Sequence, residues 1–72
     1  MDPYEIAGRL PRRHRQVFDL VLAGHGEKEI AEKLHMAVNT VHGHLKVLYP
    51  EFGVTSAKEL MALFVDKPPL PP

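Results

Sequence analysis

Apolar positions recur along this chain at spacings of three and four, and each recurrence is bracketed by residues that start or stop a helix. Val17, Phe18, Leu20 and Val21 form a first stripe, which follows Pro11, whose fixed φ suits a helix start, and closes at Gly24. A second stripe sets Ile30, Ala31 and Leu34 on one side of a helix over 27–34. Gly26 is its N-cap, and Glu29 stands three residues on, where its carboxylate can meet free amides. A third stripe, Val41, Leu45 and Leu48, marks the buried side of a helix from about Val38 to Leu48. Pro50 predicts that this helix stops near Leu48 or Tyr49, or kinks there. Proline removes the amide bond to residue 46 and clashes with that carbonyl, at a cost of about 3 kcal/mol inside a helix. Phe52 and Val54, on either side of Gly53, form a turn that still plugs the core. Ser56 and Glu59 read as a capping box ahead of a fourth helix, in which Ala57, Leu60, Met61 and Phe64 cover one side.

The joint between the second and third helices is short. His35 to Ala37 form the turn, with Met36 as an apolar anchor and His35 expected in the left-handed region, which histidine tolerates better than a β-branched residue. A small Ala31 permits the close crossing such a joint needs. The fold class is therefore all-α, a compact four-helix domain with a central helix-turn-helix and no winged elements. Residues 1–9 read as a mixed lead-in, 10–66 as the helical domain and 67–72 as a proline-rich tail with overlapping P-x-x-P spacings.

Composition narrows the function. With 72 residues and no cysteine, neither disulfides nor a thiolate zinc site can support the core. At this length the margin over chain entropy is thin, so self-association is a reasonable expectation. Nine Lys and Arg balance nine Asp and Glu, which removes any bulk basic signature for nucleic acid. Arg9, Arg12, Arg13 and Arg15 nevertheless cluster, so the chain has a basic end. No apolar run reaches membrane-spanning length and the start lacks a targeting pattern, so the expected setting is the cytoplasm, without membrane contact. Neither an arrangement of serine, histidine and carboxylate nor a glycine-rich phosphate loop is present, and the chain is too short to enclose a substrate. His42 and His44 are two apart on a helix and diverge. No catalytic residue, metal site or cofactor is therefore expected.

Binding chemistry concentrates on the third helix. Its spacing puts Asn39, His42, Gly43 and Lys46 opposite the apolar side, with Thr40 at the margin. Two short helices with a polar outer face on the second can place that helix in the major groove of DNA. The same architecture also serves as a protein-docking module, and the pattern alone leaves both open.

Four stretches carry a family likeness: Arg13-His14-Arg15-Gln16-Val17, the run from Lys28 to Leu34 (KEIAEKL), the run from Thr40 to Leu45 (TVHGHL), and Phe52-Gly53-Val54. In order and separation they resemble the DNA-binding domain of LuxR/GerE-type bacterial transcription regulators, over about Leu10 to Val65. The resemblance implies that the third helix enters the major groove of double-stranded DNA. Residues matching Thr40, His42, Gly43 and Lys46 would lie on the DNA side, with Asn39 contributing to limited sequence reading. It also implies that the helix starts near Arg12, Arg13 and Lys28 approach phosphates. The fourth helix would supply a weak homodimer contact through Ala57, Leu60, Met61, Leu63 and Phe64, and a regulatory domain would precede the domain in a longer protein. This chain departs from the family at His42, where lysine is usual, and at Gly43, where a larger polar residue is usual. It departs again at Ala37, in place of a hydroxyl cap, and at Pro50 and Glu51, in place of basic residues. These departures define the alternative, a degenerate helix-turn-helix that serves as a protein-interaction or dimerisation module with little DNA binding.

Overall fold

The computed structural model describes residues 2–65, which form α1 (Pro3–Gly8), α2 (Arg12–Leu22), α3 (Glu27–Leu34), α4 (Val38–Glu51) and α5 (Ala57–Leu63). No strand occurs among the described residues, and the proline-rich tail at 67–72 lies outside them. Helices α2 to α5 are the four expected from the sequence. The chain turns between α3 and α4 where expected, with His35 left-handed at φ 56° and ψ 45° and the Met36 amide donating to the Ala31 carbonyl at 2.9 Å. Glu29 reaches back to the Gly26 amide at 3.4 Å.

Three local features differ from the sequence reading. The first is α1, within the stretch read as a lead-in. Asp2 caps it by accepting from the Tyr4 amide at 2.8 Å, and Pro3 occupies the first helical position, where a missing N–H costs nothing. Six residues are too few to show an apolar repeat, so this helix is held by its cap and by docking. Ala7 is buried against the core, and the Arg15 guanidinium donates to the Ala7 carbonyl at 3.0 Å.

The second difference is the end of α4, which does not stop near Leu48 or Tyr49 but runs through Pro50 to Glu51. Its position in the final turn limits the loss to one amide bond. The chain is pinned on both sides of the proline by buried Leu48 and Phe52. The Tyr49 carbonyl then accepts from both the Phe52 and Val54 amides, at 3.0 and 3.1 Å, and Gly53 turns the chain at φ 69°. Tertiary anchoring thus outweighs the local preference against helix at and before proline.

The third is the cap of α5. The Ser56 hydroxyl accepts from the Glu59 amide at 3.2 Å as expected, but the Glu59 carboxylate turns to the preceding residue. It accepts from the Thr55 amide at 3.2 Å and the Thr55 hydroxyl at 2.7 Å, so the reciprocal half of the box is displaced by one position.

One core joins the elements. α4 packs against α3 and α2, and α5 packs against α2. Val17, Phe18, Val21, Ile30, Val41, Leu45, Leu48 and Leu60 are all buried, and no polar or charged residue is buried among the described residues. Phe18 stacks on Phe52 with centroids 5.3 Å apart and planes at 10°, and Phe64 meets both edge-on, at 5.3 and 5.9 Å. Tyr4 of α1 closes the cluster against Phe64 at 5.0 Å. These four rings tie α1, α2, the end of α4 and the end of α5 together.

Gly43 sits exposed in the middle of α4, and a Cβ built there meets nothing within 4 Å. Gly43→Ala is therefore expected to stabilise the fold by about 0.5–1 kcal/mol through the helix propensity it restores. A thermal melt followed by circular dichroism should show a rise of several degrees, at roughly 4–8 °C per kcal/mol for a domain of this size. A midpoint at or below that of the parent would show that α4 needs glycine there for another reason.

Candidate nucleic-acid interface

The outer face of α4 is fixed by what its inner face buries. Val41, Leu45 and Leu48 are at most 3% exposed, which turns Asn39, Thr40, His42, Gly43 and Lys46 to solvent. Ala37, at the N-cap, makes no side-chain bond to the first turn, as its methyl group requires. Lys46 is the single lysine or arginine of this helix.

Charge reaches the face from its two flanks. His14, in the first turn of α2, meets His44 of α4 edge-to-face with ring centroids 4.8 Å apart. That contact brings the start of α2 alongside α4, and with it the exposed Arg12 and Arg13. The Arg13 guanidinium donates to the Gln16 side-chain oxygen at 3.1 Å, and Arg12, Arg13 and Gln16 line a shallow cavity of about 250 Å³. On the other flank, Nδ1 of His42 lies 3.2 and 3.3 Å from the two carboxylate oxygens of Glu27, the first residue of α3. Lys28, next in α3, is exposed beside it. The starts of α2 and α3 therefore bracket α4, with Arg12 and Arg13 on one side and Lys28 on the other.

Arg15 does not join this set. It pairs with Asp19 at 3.0 Å, donates to the Ala7 carbonyl and lies 5.7 Å from the Phe18 ring, so it fastens α1 to α2. The Glu27–His42 contact was not legible beforehand. The two residues are fifteen apart, and only the crossing of α3 over α4 sets them side by side. Of the residues assigned to a dimer contact, Leu60 is fully buried in the core of a single copy, while Ala57, Met61 and Phe64 are half-buried. Leu63, 39% exposed, and Val65, 63% exposed, are the large apolar side chains left open to solvent at this end.

His44 has a lowered pKa, first because burial disfavours its charged form and then because His14 and Arg13 lie near it. A depressed folded-state value means that the unfolded chain binds the proton more readily. The contribution of His44 is then fully present above the ordinary imidazole value of about 6.5 and is lost as pH falls through the folded value. Denaturant titrations at a series of pH values should show stability declining on mild acidification. His44→Gln should flatten that decline, and an unchanged slope would remove His44 as its source. The Tyr49 phenol is pushed up, by burial first and by the Glu27 carboxylate second, and remains neutral.

Among the described residues no helix is long and apolar enough to cross a membrane, and no group of three His, Asp or Glu is placed to hold a metal. Residues 9–64 match the family described as bacterial regulatory proteins, luxR family. Among curated relatives, the oxygen regulatory protein NreC of Staphylococcus aureus strains JH9, JH1 and Mu3 is 36% identical over 66 residues. The match covers 92% of this chain and 29% of each relative, so the chain spans less than a third of their length. No solved structure gives a significant match. With the family match spanning all of α2 to α5, the chain belongs to the luxR family of bacterial regulatory proteins, and α3 and α4 form its helix-turn-helix.

Proposed function

We propose that α4 docks in the major groove of double-stranded DNA, with Arg12, Arg13, Lys28 and Lys46 on phosphates and Asn39, Thr40 and His42 toward base edges. The observation that carries this reading is the bracketing of α4 by the starts of α2 and α3. Positive charge absent from most of the recognition helix is supplied beside it, where the two phosphate strands flanking a groove run. Gly43 keeps the centre of the face low, which favours close approach of backbone to duplex. Dimer pairing on two half-sites would use Leu63 at the end of α5, and a regulatory domain would lie ahead of this domain in a longer cytoplasmic protein.

Titration of a short duplex into the isotopically labelled chain at low salt is the direct test. Amide shifts should centre on Thr40, His42, Gly43, Lys46 and Arg13, and affinity should fall as salt rises, by a log–log slope of about −0.9 for each phosphate contact. The rival reading, an interaction module with little DNA binding, is favoured by the zero net charge and by the Glu27 carboxylate on the same face. A surface that no duplex perturbs at low salt would decide for it.

A further inference from the structure

The Glu27–His42 contact sits on the face assigned to DNA, and its chemistry goes further than packing. Both carboxylate oxygens lie within 3.3 Å of Nδ1, the placement in which a carboxylate accepts from an Nδ1–H. The opposite ring nitrogen, Nε2, has no partner among the described residues, and both side chains are solvent-accessible, at 53% for His42 and 41% for Glu27. Around the pair stand Lys28 on α3, Lys46 one turn further along α4, and Tyr49, whose phenol responds to Glu27. Arg13 and His14 of α2 lie beside the neighbouring His44.

We propose that Glu27 is a positioning residue for His42 in duplex recognition, holding Nδ1–H so that Nε2 is offered to the DNA, and that complex formation takes up one proton at Nε2. The inference rests on the DNA-binding reading above. With a neutral ring the pair brings one net negative charge to a polyanion, and Nε2 can only accept a hydrogen bond. With a protonated ring the pair is neutral, and Nε2–H donates to a phosphate oxygen or to an acceptor on a guanine edge. Phosphates close to the ring favour that second form, so the proton is bound more tightly in the complex than in the free protein. Linkage then requires affinity to rise as pH falls. Glutamine at position 27 keeps an oxygen that accepts from Nδ1–H but removes the charge, whereas glutamine at position 42 removes the titrating ring.

The test is duplex affinity, measured by fluorescence anisotropy at fixed salt between about pH 6 and pH 8, on a mixed-sequence duplex long enough for two half-sites about 10 base pairs apart. For the parent chain a gain of roughly three- to tenfold toward the acid end is expected, the limit for one proton being tenfold per pH unit. His42→Gln should abolish most of that gain. Glu27→Gln should tighten binding at the alkaline end and reduce the gain, because the charge that repels the duplex is gone. Glu27→Ala should do the same but also release the ring, seen as a change in the His42 nitrogen shifts that report its tautomer in the free protein. Binding whose pH dependence survives His42→Gln overturns the proton assignment. Unchanged nitrogen shifts in Glu27→Ala overturn the positioning role. A parent chain that binds no duplex at any pH instead overturns the DNA reading itself, with this inference.

Discussion

Phe18→Ala is expected to remove a large share of the stability of this domain. The ring is 2% exposed, stacks on Phe52 and receives the edge of Phe64, so its removal opens a cavity between α2, the end of α4 and α5. Truncations of this kind cost about 3–5 kcal/mol. A domain of this size has a total stability of only about 4–11 kcal/mol, at 0.05–0.15 kcal/mol per residue. Urea unfolding followed by circular dichroism should show a midpoint displaced strongly downward, or no folded baseline at all. A loss below about 1 kcal/mol would mean that the aromatic cluster does not organise the core.

The second large effect is on binding. Arg12, Arg13 and Lys46 replaced together by alanine should weaken duplex affinity at low salt by about a hundredfold or more, taking roughly 1 kcal/mol for each charged contact. The salt slope should become shallower by roughly two to three, because three phosphate contacts are removed. These side chains are exposed and outside the core, so the melting midpoint should barely move. Arg15→Ala is the control that the structure supplies. Its guanidinium is committed to Ala7 and Asp19, so its loss should loosen α1 and leave the salt slope unchanged. A slope that responds to Arg15 as strongly as to Arg13 would show that the flank of α2 has been misassigned.

Much of this division was readable from residue order, and the parts that were not have a common cause. Helical repeats, Gly24, the left-handed His35 and the hydroxyl of Ser56 act within a few residues, so their consequences follow from the sequence nearby. The outer face of α4 was legible for the same reason, because Val41, Leu45 and Leu48 name its inner face. Pro50 misleads because its local penalty is real but is outweighed by contacts of Leu48 and Phe52 with distant residues. Leu60 and Leu63 look equivalent as apolar side chains of one short helix, yet one is enclosed by the core and the other is not.

Residue order is enough to specify the helical fold class, the helix-turn-helix joint, the family likeness and the residues that α4 presents to solvent. Which charges stand beside that face depends on how the helices pack. The starts of α2 and α3 reach α4 through His14 on His44 and Glu27 on His42, pairs thirty and fifteen residues apart. Apolar periodicity specifies which side of a helix is buried but not which neighbour's end lies along its edge. That choice comes from how Ala31, Val41 and the phenylalanine cluster pack, and it gives a nearly uncharged recognition helix its basic flanks and one acidic partner.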